Sequence, residues 1–348
     1  MPSTASLAFR KETLLASAGY DPRFVTADTP VSLPPVLGSA GRAALPEVEG
    51  AEDGLLRYTA LTVAYHAGRR VPIIAASNID GNQKRHNIRR ASGFRPDPRI
   101  DAAIQLSQRG FYDLRTDITE FEIGHMAAND ELAWGPDAQL KAYQTFHFPN
   151  SVPQAEKLNS GIWRSLEGYI IREAATLPDN KRISVFTGPV LRADDPLYKH
   201  DPAFQIPLLF YKVIVFPTPT GLRSTGFLMS HEQRMREQGM FLVPDDGVGD
   251  LELAAPLHFG DYKYRKVFQV NLRVIEDLTG LAFRWRGVRR IPVPGDRLQV
   301  QKIRAVRDAG DAGEYELGTG GDRDMAADEE LTLREERTGQ YTLRILLG

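Results

Sequence analysis

The sequence predicts an α+β protein with a central, mostly antiparallel sheet flanked by helices. Three observations carry that expectation. RISVFTGPVL and FQIPLLFYKVIVF are near-continuous apolar runs, the kind that fill the middle of a sheet covered on both faces. From Gln154 to Ala175, the residues Leu158, Ile162, Leu166, Tyr169 and Ile170 recur at spacings of three and four behind Pro153, a good first-turn residue, which predicts a helix. Strand-like runs follow one another with helices at irregular intervals, which argues against a doubly wound sheet.

In chain order, residues 1–54 carry Pro30, Pro34, Pro35 and Pro46 and read as an extended arm with little regular structure. LLRYTALTVAYHA and VPIIAASNID, separated by Gly68, Arg69 and Arg70, are β-branched and aromatic and predict a hairpin. A helix is expected around Asn271 to Thr279, stopped by Gly280. LTLREERTGQYTLRILL alternates about a Thr-Gly turn and reads as a closing hairpin. The expected organisation is an arm (1–54), a main domain (55–290) and an acidic, β-rich C-terminal extension (291–348).

The chain has 348 residues, 42% of them hydrophobic and 25% charged, which excludes a disordered, collagenous or coiled-coil protein. It has no cysteine, so disulfides, thiolate metal sites and cysteine nucleophiles are excluded together. His, Asp, Glu, Asn and Ser must carry any chemistry. No Gly-rich Lys-Ser/Thr phosphate loop, Gly-x-Ser-x-Gly or His-Glu-x-x-His signature is present. No apolar run spans a bilayer, and the opening residues lack the basic start and apolar stretch of a secretion signal, so a cytoplasmic protein without a membrane partner is expected; signal-independent export would leave the same trace.

Charge is unevenly distributed along a chain whose net charge is only −2. From Gln83 to Ile100, Lys84, Arg85, Arg89, Arg90, Arg95 and Arg99 face a single acid, Asp97. Such a run repels itself unless it is solvated or lies beside an anion such as phosphate. The stretch from Ile291 onward is the reverse, with eight Lys/Arg against twelve Asp/Glu.

The chemistry-bearing segments are FEIGHMAANDELAWG and YQTFHFPNSVPQAEKLNSGIWRSLEGY. His125 can serve as a general base, because an imidazole is available in its neutral form near physiological pH. Asn159, taken alone, is a helix-surface asparagine or the amide ligand of a hard cation, leaving most of that cation's charge for a phosphate. Trp163 and Glu167 follow at four and eight residues, on one stripe with about 12 Å of rise to Glu167. That separation lets Glu167 hold a metal-bound water better than the metal itself. Trp163 is read as core. Asn150, in Phe-Pro-Asn-Ser, is a turn or cap residue or an auxiliary of the site. His147 reads as a strand residue satisfied by hydrogen bonds, and His66, His200, His231 and His258 receive no role.

These segments resemble the DNA/RNA non-specific endonucleases of the ββα-metal (His-Me finger) superfamily, which carry Asp-Arg-Gly-His and then Asn-x-x-Pro-Gln, Asn-x-Gly-x-Trp and Leu-Glu. The second block is complete as Asn150, Pro153, Gln154, Asn159, Gly161, Trp163, Leu166 and Glu167. Asp97-Pro98-Arg99-Ile100, Trp134-Gly135, Thr187-Gly188-Pro189 and the run from Ile275 to Leu281 fall in the expected order, so the resemblance covers residues 55 to 285. It implies a ββα finger built from the His125 hairpin and the helix beginning near Gln154. It also implies a Mg²⁺-dependent endonuclease, with Mn²⁺ as a substitute, that cuts DNA and RNA to leave 5′ phosphates. The matching positions make His125 the base, Asn159 the metal ligand, Glu167 the holder of a metal-bound water and Asn150 a supporting residue. Arg89, Arg90 and Arg95 are the candidates for phosphate contacts, since a guanidinium fork matches phosphate oxygens. The terminal extensions offer surfaces for a homodimer or larger assembly. One departure stands out: Glu122-Ile123 replaces the family's Asp-Arg. Either another arginine compensates, or the enzyme is slow or selective, or the chain binds nucleic acid without cutting it.

Overall fold

The computed structural model describes residues 3–35, 43–113, 121–155, 163–164, 166–168, 170–171, 180–242 and 267–293, and the backbone of strands at 297–300, 303–306, 314–317, 336–338 and 341–343. The expected hairpin is present but begins one strand earlier: a turn at Thr59-Ala60 splits LLRYTALTVAYH into β1 (Leu55–Tyr58) and β2 (Leu61–His66), and β2 pairs with β3 (Val71–Asp80). Ala60 takes a left-handed φ of 64° in that turn, a conformation easily overlooked when the sequence carries no glycine there. A two-stranded ribbon of β4 (Glu122–His125) and β5 (Ser151–Gln154) follows, and then β6 (Arg182–Val190) joins β3. A second small ribbon joins β7 (Leu197–Tyr198) to β8 (Asp201–Gln205).

The sheet continues through β9 (Leu209–Thr218), β10 (Gly221–Ser230), β11 (Val267–Val270) and β13 (Arg297–Val300). Its path is β1-β2-β3-β6-β9-β10-β11-β13, antiparallel throughout, while β12 (Val288–Arg290) pairs parallel to β10. The architecture is α+β, as predicted. Further out, β14 (Ile303–Val306) pairs with β15 (Glu314–Leu317), and β16 (Glu336–Thr338) with β17 (Tyr341–Leu343) about the anticipated Thr-Gly turn.

Side chains of β9 alternate between two cores. Phe210, Ile214 and Phe216 join one, with Trp163, Met126 and Phe148, while Leu209, Tyr211, Val213 and Val215 join the other, with Phe186, Leu272 and Ile275. The sheet is therefore covered on both faces, which is why β6 and β9 read as nearly unbroken apolar runs. The helix Leu272–Thr279 covers the second face and ends at Gly280, whose φ of 69° closes the C-terminus in the left-handed region.

Two expectations need correction. The arm before residue 55 contains two five-residue helices, Thr4–Ala8 and Lys11–Leu15. The arm is also anchored: the Tyr20 hydroxyl donates to Val31 O (2.7 Å) and Ser184 Oγ (2.9 Å), and Ala8, Leu14, Val25 and Val31 are buried. Second, Gln154 does not begin a helix. Pro153 and Gln154 lie in β5, opposite Ile123 and Glu122, and the described positions from 163 to 171 are helical. A proline φ near −65° suits a first helical turn and a short two-stranded ribbon alike, so Pro153 did not discriminate.

Candidate active site

His125 ends β4 with its backbone opposite Ser151 of β5. Gly124 is required beside it: a Cβ there would lie 2.0 Å from the Gln154 side chain that crosses the ribbon. The imidazole sits between the rings of Phe94 and Phe146, each with its centroid 4.6 Å away, and is 8% exposed. Its Nε2 is buried and has no hydrogen-bond partner among the described residues. Burial, reinforced by the positive charge of Arg90, pushes the imidazole down to about 3, so the ring is neutral across the physiological range.

Asn150 explains how the ring is held. Its backbone carbonyl accepts from Met126 N (2.9 Å) and its Oδ1 from Ala127 N (3.0 Å), while Nδ2 donates to Ala127 O and Thr145 O (both 2.9 Å). The side chain is fully buried and clamps the two residues after His125.

His125 and Glu167 line one cleft of about 570 Å³, together with Arg90, Ile123, Asn129, Asp130 and Arg164. Glu167 is partly buried in the helical stretch that includes the core residue Trp163. Desolvation raises the pKa of its carboxyl, and the Lys212 ammonium 3.8 Å away opposes that rise. Lys212 is itself fully buried and pairs with Glu131 at 2.7 Å, whose other oxygen accepts from Ala128 N (3.2 Å). One buried network thus joins the central sheet, the loop after His125 and the Glu167 helix.

Of the residues singled out from the sequence, His125, Glu167 and Arg90 share the cleft and Asn150 braces it. Arg89 is tied through its backbone to the Gln139 side chain, and Arg95 donates to Phe94 O and Ser92 Oγ; neither is among the cleft-lining residues. Arg99 leaves the basic run altogether, buried in a 2.8 Å ion pair with Asp97. Trp163 is fully buried core, 6.2 Å from the Phe210 ring. His147 bridges to Arg95 in the backbone and donates from Nδ1 to Gln144 O (2.9 Å), while its Nε2 has no partner among the described residues. Asn159 lies outside the described residues. Glu131 and Lys212 were missed, although Lys212 shows in sequence as a lone charge inside FQIPLLFYKVIVF, the mark of a cation that needs a buried partner.

Among the described residues, no three His, Asp or Glu side chains form a metal-holding group. The cleft's donors are the oxygens of Glu167, Asp130 and Asn129, a set suited to a hard divalent cation that keeps most of its water.

The model of the DNA/RNA non-specific endonuclease family matches residues 41–289. The chain belongs to that family. Uncharacterized protein y4fB of Sinorhizobium fredii is 30% identical over 224 residues, covering 62% of this chain and 32% of the relative. The mitochondrial nuclease EXOG of Homo sapiens is 26% identical over 247 residues, covering 65% of this chain and 55% of the relative. The chain thus spans about a third of the length of the first relative and about half of the second. A crystal structure of the EndoG/EndoGI complex aligns with a TM-score of 0.47 at 21% identity, covering 66% of this chain and 84% of that one. No helix among the described residues is long and apolar enough to cross a membrane.

Proposed function

We propose that the protein is an endonuclease that hydrolyses phosphodiester bonds of DNA and RNA with little sequence preference, using Mg²⁺ or, in its place, Mn²⁺. The observation that carries this reading is the neutral His125 imidazole lining a cleft shared with Arg90 and Glu167. Membership of a nuclease family and similarity to nucleases named EXOG support it.

In this reading Asn159 would hold the cation, with the cleft-lining carboxylates of Asp130 and Glu167 available to the water it keeps. When bound, the cation neutralises the phosphate and the departing oxygen. The His125 imidazole takes a proton from water, whose oxygen forms the new bond to phosphorus. The bond to the 3′ oxygen breaks, and that oxygen is protonated from solvent, leaving a 5′ phosphate and a 3′ hydroxyl. Arg90 grips the non-bridging oxygens in place of the arginine that Ile123 displaces. The arriving phosphate also offsets the positive field of Arg90, so the imidazole becomes a stronger base once substrate is bound. Glu167 accepts hydrogen bonds from water in the cleft, and Asn150 keeps the ring from turning away.

The test is plasmid relaxation with Mg²⁺, Mn²⁺ or chelator by the wild type, His125→Ala and Asn159→Ala. Cation-dependent cutting by the wild type, lowered at least a hundredfold in both variants, is expected. Equal cutting by all three would refute the reading. Salt-sensitive DNA binding without cutting by the wild type would favour a nuclease fold that only binds.

A further inference from the structure

A second basic surface lies away from the cleft, on β12 and the loop before it. Between residues 267 and 293 the chain carries five arginines against Glu276 and Asp277, and no lysine. Part of that charge is internally balanced. Arg290 makes a bidentate pair with Glu276 (3.0 and 2.6 Å), Arg284 lies 3.6 Å from the same carboxylate, and Arg273 lies 3.5 Å from Asp277.

Three arginines are not balanced. Arg286 and Arg289 are exposed, and neither they nor Arg223 have a carboxylate within ion-pair distance among the described residues. Arg223 and Arg289 stand abreast in the parallel register of β10 and β12, where like charges destabilise a sheet unless an anion lies between them. Among the described residues, the Nε of Arg223 is buried without a hydrogen-bond partner, and Nη2 donates a 3.4 Å bond to Thr220 Oγ1. An orphaned guanidinium N–H beside a like-charged neighbour is a donor set waiting for an acceptor.

The loop that presents these groups is firmly held. Trp285 stacks on Phe186 (centroids 5.2 Å apart, 25° between planes) and donates from Nε1 to Ser32 O (2.7 Å). That rivet leaves Arg284 and Arg286 exposed on either side of it, over a groove of about 810 Å³. The surface is separate from the cleft. Lys212, which reaches the cleft network, is opposite Phe227 of β10, and Arg223 lies four residues before Phe227, about 13 Å along the strand. β12 is also two strand spacings, about 10 Å, from β9. Arg289 and Arg290, consecutive on β12, point to opposite faces of the sheet, so cations line both sides of this edge.

We propose that this arginine ridge is a second contact for the phosphate backbone of nucleic acid, engaging the polymer at a distance from the cut. The proposal rests on the reading of the cleft as a nuclease site. A polymer of evenly repeated phosphates fits it better than a single anion does, because the unpaired guanidinium groups of Arg223, Arg286 and Arg289 are spread along an edge and its adjoining loop instead of converging on one point.

The experiment uses the full chain carrying His125→Ala, with chelator present, and measures fluorescence anisotropy of labelled duplex DNA and single-stranded RNA over a range of salt. Adding Arg286→Ala and Arg289→Ala should weaken binding at least tenfold at low salt and flatten the slope of log affinity against log salt by about 2, close to 0.9 per lost phosphate contact. The Arg286→Lys and Arg289→Lys pair should retain most of the slope, and an unchanged thermal midpoint shows that the alanine pair is folded. If the alanine pair binds with the parent's slope while Arg90→Ala lowers it, the ridge is refuted and the cleft reading stands. If polyglutamate displaces the nucleic acid as well as matched DNA does, the surface is one for acidic protein and the proposal fails. If the parent binds neither DNA nor RNA, the nuclease reading falls and takes the ridge with it.

Discussion

Replacing Lys212 with methionine removes the cation at the centre of the buried network while preserving an unbranched chain of similar length. Lys212 and Glu131 are both 0% exposed and 2.7 Å apart, so the substitution strands a carboxylate where water cannot reach it. Among the described residues, the hydrogen bond left to Glu131 is the one from the Ala128 N–H at 3.2 Å. Breaking a buried pair in this way costs about 3–5 kcal/mol. Glu167 loses the cation 3.8 Å away at the same time, so two carboxylates are left facing each other's field. Adding Glu131→Gln removes the stranded charge and should recover about half of the loss, a non-additivity that a double-mutant cycle reads directly. The assay is urea unfolding of the wild type, both single variants and the double at pH 7, with circular dichroism to verify the folded baselines. A loss under about 1 kcal/mol for Lys212→Met, or simple additivity in the double, would show that the network is not coupled as the distances indicate.

Asn150→Ala removes three buried side-chain hydrogen bonds around residues 127 and 145; a loss of about 3 kcal/mol in urea unfolding is expected, together with a fall in turnover larger than any rise in KM, and an unchanged turnover would contradict the positioning role. Ile123→Arg returns a guanidinium to the strand position two residues from His125, on the same side of β4; plasmid cutting should rise about tenfold, and an unchanged or lower rate in a folded variant would show that Arg90 already supplies that contact. His125 and His231 are held neutral by burial down to about 3 and about 4, below the ordinary imidazole value near 6.5, so the unfolded chain takes up protons first as pH falls. Stability present above pH 6.5 should therefore drop by about 1.4 kcal/mol per pH unit for each of these two histidines on the way to pH 4, and a flat urea midpoint between pH 7 and 5 would contradict it.

What the sequence disclosed followed its strongest local signals. β6 and β9 were legible because both of their faces are buried, and the helix ending at Gly280 was legible because its stop needs a left-handed residue. β10, GLRSTGFLMS, was not: its two glycines, two serines and threonine suppress the apolar pattern, and it is a strand because β9 and β11 flank it. Prolines in the arm concealed the short helices at Thr4–Ala8 and Lys11–Leu15, whose burial against the domain supplies what their length cannot. In the site, the spacing of the Asn150 to Glu167 block marked the helix and its carboxylate. The partnership of Glu131 with Lys212, separated by 81 residues, could not be seen without the fold. Nor could the sequence choose among Arg89, Arg90 and Arg95, because a side chain's direction in an irregular loop depends on what it packs against, here the Phe146 ring beneath Arg90, 5.5 Å from its guanidinium.

The central claim is that His125 deprotonates the attacking water. Chemical rescue tests it most directly. His125→Gly, supplied with divalent cation and exogenous imidazole, should regain cutting in proportion to the concentration of neutral imidazole, with a pH dependence that follows the free imidazole's own titration. Undiminished cutting by the variant without imidazole would contradict the claim, as would a folded, substrate-binding variant that imidazole fails to restore.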